Sequence, residues 1–117
     1  MSYLDSEVRP WGSYHIICND KKFKIKKIEV NPGQRLSYQY HNKRSETWTV
    51  ISGIANVTIN DKDYVLNAGD SITIPLKAKH RVENKGLNSL IFIEVQTGSY
   101  FGEDDIVRLE DDYNRVK

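Results

Sequence analysis

Two histidines, a glutamate and a glutamine stand at spacings that can close on one metal ion. The first stretch holds Gly33, Gln39, His41, Glu46 and Gly53, as Gly-x5-Gln-x-His-x4-Glu-x6-Gly. The second holds Gly69, Pro75, His80 and Asn84, as Gly-x5-Pro-x4-His-x3-Asn. Imidazole, carboxylate and amide oxygen form a mixed donor set that suits one divalent ion: zinc first, with manganese, cobalt, nickel or iron as alternatives. An ion with open positions polarises carbonyl and hydroxyl oxygens, so the expected chemistry is metal-assisted work on an oxygen-rich small molecule. A lone histidine is more often a hydrogen-bonded polar residue than a ligand. The joint spacing favours the metal.

The elements that must carry these residues read as short strands. Alternate side chains on a strand share a face, so Gln39 and His41 can both point into a barrel. Strands are expected at Tyr14–Cys18, Phe23–Val30, Leu36–His41, Thr47–Ile51, Ile54–Ile59, Asp63–Leu66, Ser71–Ile74, Arg81–Glu83 and Leu90–Gln96. Turns are expected at Asn19-Asp20, Asn31-Pro32-Gly33, Ser52-Gly53, Asn60-Asp61 and Asn67-Ala68-Gly69-Asp70, where glycine, proline and asparagine supply the required backbone angles. Asn42–Ser45 reads as a polar loop that could bring Glu46 back beside Gln39 and His41. About eight to ten closely spaced strands suggest a sandwich or closed barrel. One all-β domain over residues 1–117 is expected, with an N-terminal arm at 1–12 and a C-terminal tail or mouth flap at 102–117.

Charge and cysteine content narrow the partners. Seventeen basic and sixteen acidic residues leave a net charge of +1, too balanced for nucleic acid as a main partner. The longest apolar runs, such as Ser89 to Val95, are too short to cross a membrane. The opening Met-Ser-Tyr-Leu-Asp-Ser-Glu has no basic start and no apolar core, so no secretory leader is expected. Cys18 is the sole cysteine, which points to a reducing cytoplasm.

The two motif stretches resemble the paired motifs of the cupin superfamily, whose fold is a double-stranded β-helix or jelly-roll-like barrel. Gln39 stands where the first cupin histidine is usual. Gln-x-His with a glutamate and a second histidine is similar to the type II mannose-6-phosphate isomerase domain. Arg9-Pro10-Trp11-Gly12-Ser13-Tyr14 and Pro32-Gly33-Gln34-Arg35-Leu36-Ser37 resemble that group, as do Ile74-Pro75-Leu76 and His80-Arg81-Val82-Glu83-Asn84. So do Glu94-Val95-Gln96-Thr97-Gly98-Ser99-Tyr100, Gly102-Glu103-Asp104-Asp105-Ile106-Val107-Arg108 and Glu110-Asp111-Asp112-Tyr113. The resemblance runs over nearly residues 9–115. In many relatives the domain follows a mannose-1-phosphate guanylyltransferase domain, for which 117 residues leave no room. Lys77 stands where Pro-x-Gly is usual and can alter the turn before His80. Asn114 stands where Tyr-Gly-Arg is usual, and the histidine cluster common after the first motif is replaced by His41-Asn42-Lys43-Arg44.

The resemblance implies an enzyme that interconverts mannose 6-phosphate and fructose 6-phosphate, supplying mannose for GDP-mannose and polysaccharide synthesis. The alternative is a non-catalytic sugar-phosphate-binding cupin, partner or regulator of a separate guanylyltransferase. Isomerisation needs a base, and Glu94 interrupts an apolar strand where a carboxylate is costly unless paired or functional. Its bland reading is a rim salt bridge. Arg108 is the candidate partner for phosphate or enediolate; otherwise it pairs with nearby acids. Arg9, Trp11, Lys26 and Arg44 are candidate substrate-binding residues. Trp11 could equally be core. Lys26 could face inward among alternating strand residues or belong to a solvated lysine edge with Lys22, Lys24 and Lys27, and Arg44 could meet a phosphate or only solvent. The acidic residues Glu103–Asp105 and Glu110–Asp112 read as hydrogen-bonding, capping or solvated groups. A homodimer is expected, because a lone small barrel leaves sheet edges to cover.

Overall fold

The computed structural model describes residues 2–115. Met1, Val116 and Lys117, at the ends of the expected domain and tail, lie outside the described residues. Among the described residues there are eleven strands: β1 (Asp5–Arg9), β2 (Gly12–Asn19), β3 (Phe23–Val30), β4 (Tyr38–Tyr40), β5 (Arg44–Ser52), β6 (Ala55–Ile59), β7 (Lys62–Leu66), β8 (Ser71–Ile74), β9 (His80–Glu83), β10 (Leu90–Gly98) and β11 (Val107–Glu110). They form two antiparallel sheets, in the orders β1-β2-β3-β10-β5-β8 and β11-β4-β9-β6-β7. Among the described residues, no helix is long and apolar enough to cross a membrane.

Three neighbouring strands carry the same two-part inner face. Strand β3 turns Lys24, Lys26, Ile28 and Val30 inward; β10 turns Leu90, Phe92, Glu94 and Gln96; β5 turns Arg44, Glu46, Trp48 and Val50. The registers align these residues in rows. Phe92 lies opposite Ile28 and Val50, Glu94 opposite Lys26 and Trp48, and Gln96 opposite Lys24 and Glu46. One half of the barrel interior is therefore apolar, where Val30, Val50, Leu90 and Phe92 join Val57, Val82 and Ile74. The other half is charged and forms the mouth. Buried apolar area stabilises by roughly 25 cal/mol per Å², so the apolar half supplies the driving force for closing the barrel.

Two glycines permit close approaches. A Cβ on Gly98 would sit 2.2 Å from the Lys43 carbonyl oxygen, where β10 meets the start of β5. The motif glycine Gly53 has φ +89°, and its Cβ would meet Leu90 Cα at 3.1 Å. The β6–β7 hairpin turns at Asn60 and Asp61, both at positive φ (48° and 67°). Such angles suit a two-residue hairpin turn and explain the Asn-Asp pair.

Four expectations are corrected. Residues 5–9 of the expected arm form β1, paired to β2 over five positions. Val107–Glu110 of the expected tail form β11 against β4. The Asn42–Ser45 loop is shorter than expected, because Arg44 already pairs with Gly98 and opens β5. Lys24 and Lys26 are not on a solvated edge: β3 lies between β2 and β10, and both side chains are buried.

Candidate functional site

His41, Glu46 and His80 converge: one ligand atom from each lies within 4.8 Å of the others, and all three are buried. His41 Nε2 is 3.3 Å and His80 Nε2 3.8 Å from the Glu46 carboxylate. Each ring is fixed by its other nitrogen. His41 Nδ1 bonds to the Asp105 carbonyl at 2.6 Å and His80 Nδ1 to the Ala78 carbonyl at 2.9 Å. A carbonyl only accepts, so each Nδ1 carries the proton and each Nε2 presents a lone pair towards Glu46. Burial lowers both histidines to about 4; Arg44 and His80 also lower His41. Neutral imidazoles beside a carboxylate fit a divalent ion. Gln39 lies cross-strand from His80 and lines the same cavity. Its Nε2 donates to the Ser37 carbonyl at 3.5 Å, turning the amide oxygen away from that contact.

Beside this cluster sits a second buried carboxylate. Trp48 Nε1–H is shared between Glu46 Oε1 (3.1 Å) and Glu94 Oε1 (3.0 Å), and Gln96 Nε2 donates to Glu94 Oε2 at 2.8 Å. Burial, followed by the adjacent Glu46 charge, pushes the Glu94 carboxyl up to about 7. Glu94 thus points inward, and its bland reading as a rim residue is set aside. Trp48 and Gln96 are not singled out by the motif spacing. The strand alternation passing through Glu46 and Glu94 could have found both.

Cations surround the carboxylates. Arg44 donates from Nε to Glu46 at 2.9 Å, and its Nη2 lies 3.4 Å from His41 Nε2; it does not meet solvent alone. Lys26 donates to Glu103 at 2.5 Å and lies over the Tyr14 ring, 4.1 Å from its centroid. Arg9 bonds to Glu7 at 2.5 Å, while Tyr14 Oη donates to the same carboxylate. Trp11 serves in both of its weighed positions: it belongs to the core and lines the cavity. Arg108 lies cross-strand from Gln39 on β11. Its Nε is buried with no hydrogen-bond partner among the described residues.

All ten candidate residues line one cavity of about 90 Å³. At ~10–15 Å³ per water-sized position, that admits an ion with the reacting end of a small sugar. Glu103 and Arg115 also line it. Asp105 holds its rim, accepting from the backbone N–H groups of Asn42 (3.0 Å) and Lys43 (2.9 Å). Of the other tail acids, Asp112 pairs with Arg35, Glu110 with Arg81 and Asp111 with Arg115, while Asp104 accepts from the Tyr100 hydroxyl. The two unusual turn residues keep a glycine-like backbone, Lys77 at φ 66° and Asn114 at φ 59°. Lys77 N–H donates to the His41 carbonyl at 3.0 Å, so the turn before His80 is retained.

A family model described as mannose-6-phosphate isomerase C-terminal matches residues 3–111. The chain is 51% identical over 108 residues to the alginate biosynthesis protein AlgA of Pseudomonas aeruginosa, covering 92% of this chain and 22% of that protein. It is 49% identical over 108 residues to the mannose-1-phosphate guanylyltransferase ManC of Salmonella typhimurium, with the same two coverages. The chain thus spans under a quarter of these relatives' length. Among solved structures it resembles the capsular polysaccharide assembling protein CapF of Staphylococcus aureus, with TM-score 0.81 and 21% identity over 94% of this chain and 32% of that one. A Klebsiella pneumoniae protein with a double-stranded β-helix domain matches with TM-score 0.72 and 26% identity, over 83% of each chain. The all-β, double-stranded β-helix expected from the cupin motifs is the fold of this chain.

Proposed function

We propose, for a chain that belongs to the mannose-6-phosphate isomerase C-terminal family, that it interconverts mannose 6-phosphate and fructose 6-phosphate with the help of one divalent metal ion. The observation that supports this most is the convergence of His41, Glu46 and His80 in the same cavity as Glu94. His41, His80 and Glu46, with Gln39 as fourth donor, would hold the ion. When bound, such an ion supplies a Lewis acid for the negative charge that develops on the sugar's carbonyl and hydroxyl oxygens.

The reaction moves a proton between C1 and C2 through an enediolate. Glu94 is the proposed base, because it is a buried cavity carboxylate outside the ligand set, whereas Glu103 is paired with Lys26, and because Trp48 and Gln96 hold both its oxygens. It would take the proton from one carbon and return it to the other. Arg108, beside Gln39, offers the developing oxyanion a cation not already satisfied at Nε. Arg9, Trp11, Lys26 and Arg44 would shape the cavity for the phosphorylated sugar. We further propose a cytoplasmic homodimer. Strand β1 is a sheet edge on which Val8 is 88% exposed, and light scattering showing a monomer at micromolar concentration would remove that part.

A coupled isomerase assay on protein loaded with zinc, manganese or cobalt tests the enzyme reading. Metal-dependent turnover is expected. No turnover by fully loaded protein, with sugar-phosphate binding seen by calorimetry, would favour a binding module instead.

A further inference from the structure

Lys24, Lys26 and Arg44 are only 6%, 4% and 7% exposed. Rigid strands β3 and β5 hold them at the charged end of the barrel. Burying three cations is costly unless counter-charge is supplied. The carboxylate that lies within 4 Å of all three is Glu103, which comes from the connection between β10 and β11 and is 38% exposed. It bonds closely to Lys26, at 2.5 Å, and lies 3.9 Å from Lys24 and 3.8 Å from Arg44 Nη1. Arg44 Nη1 is buried and has no hydrogen-bond partner among the described residues. Glu103 thus faces all three cations and bonds closely to Lys26 alone; Lys24 donates to the Phe101 carbonyl at 3.3 Å, and Arg44 donates from Nε to Glu46 while its Nη1 stays unbonded among the described residues.

A phosphate monoester matches this recess better than a carboxylate does. It brings close to two negative charges and three strong acceptor oxygens, one for each cation. The recess is also well placed: Arg44 touches Glu46 through Nε and faces Glu103 through Nη1, so it lies one guanidinium away from the candidate ligands. We propose that Glu103 is a resident stand-in for phosphate: the recess of Lys24, Lys26 and Arg44 is the phosphate subsite, and the ligand's phosphate enters by displacing the Glu103 side chain. The segment can release Glu103 without leaving the mouth, because Asp105 anchors it to Asn42 and Lys43.

This inference rests on the sugar-phosphate reading of the site, but its test needs no turnover. Inorganic phosphate is titrated by calorimetry into the full chain, metal-free with chelator present, at constant ionic strength. Glu103→Gln removes the competing charge and is expected to tighten phosphate binding by about tenfold or more. Adding Lys26→Gln to that variant is expected to abolish the gain. Unchanged affinity in Glu103→Gln, or a gain that survives Lys26→Gln, overturns the proposal. Should Glu103→Gln fail to fold, Glu103→Asp keeps the charge but retracts it by one methylene, and a gain is still expected; none overturns the proposal. A gain seen in protein that turns over no sugar would support the recess while removing the isomerase reading.

Discussion

Replacing Asp105 by alanine tests whether the rim segment sets the candidate metal centre. The Asp105 carboxylate accepts two backbone N–H bonds, from Asn42 and Lys43, and its own carbonyl accepts from His41 Nδ1. The substitution removes the first two and frees the third to drift. Hydrogen bonds to a charged group contribute about 1.5–3 kcal/mol each, and the freed N–H groups near the surface regain water, so the low end applies: about 3 kcal/mol in total. Unfolding entropy of ~2.1 cal/mol/K per residue makes about 0.25 kcal/mol/K for the 117-residue chain. Metal-free Asp105→Ala should therefore melt about 12 °C below wild type. Loss of the fixed His41 ring should also weaken zinc binding by about 10–100-fold, the usual cost of losing a ligand's hydrogen-bond partner. Thermal unfolding and zinc competition against a chelating dye read the two effects separately. Asp105→Asn, which keeps one acceptor oxygen, should fall between. A melting point within about 3 °C of wild type, with unchanged zinc affinity, would refute the reasoning.

Glu94→Gln should lower kcat by about 10²–10⁴ with metal content unchanged; near-normal turnover would eliminate it as the base. The same variant has a pH signature in metal-free protein. His41 and His80, at about 4 when folded against ~6.5 unfolded, cost stability as pH falls through that interval, because the unfolded chain binds protons first. Glu94, raised to about 7, acts in the opposite sense: its contribution is full below ~4.5 and is lost as pH rises through 7. Glu94→Gln removes that offset, so denaturant midpoints should fall more steeply from pH 7 to pH 5 than in wild type. Arg108→Ala should lower kcat more than it raises KM, since its neighbour is the candidate ligand Gln39; a KM effect alone would move its role to ground-state binding. Lys77→Gly should stabilise by about 0.5–1 kcal/mol in urea titration, because the left-handed cost of ~1–2 kcal/mol outweighs glycine's extra unfolded freedom.

The local parts of this architecture are legible in the sequence. Period-two alternation places Gln39 with His41 and brings Lys26 and Glu94 inward. The Asn60-Asp61 turn is readable from its residue types. Strands β1 and β11 are not, because each is an edge strand paired on one side: β1 has no continuous apolar face, and β11 is only four residues long. The partners of Lys26 and His41 escape for a different reason: Glu103 lies 77 residues from Lys26, and Asp105 lies 64 residues from His41. Nothing local in an acidic tail says which carboxylate caps a backbone and which enters a cavity. Lys77 is the converse case. Its residue type argues against the glycine turn, while the His41 carbonyl accepting its N–H helps hold the backbone there.

The two-part lining of β3, β5 and β10 separates adhesion from chemistry along the barrel axis instead of between its faces. Any one of these strands carries a greasy end and a reactive end with the same pleat and the same neighbours. Exchanging mouth residues such as Lys24, Arg44 or Gln96 leaves the Val30–Val50–Leu90–Phe92 layer untouched. The scaffold's mouth can thus be re-equipped without redesigning what makes it fold.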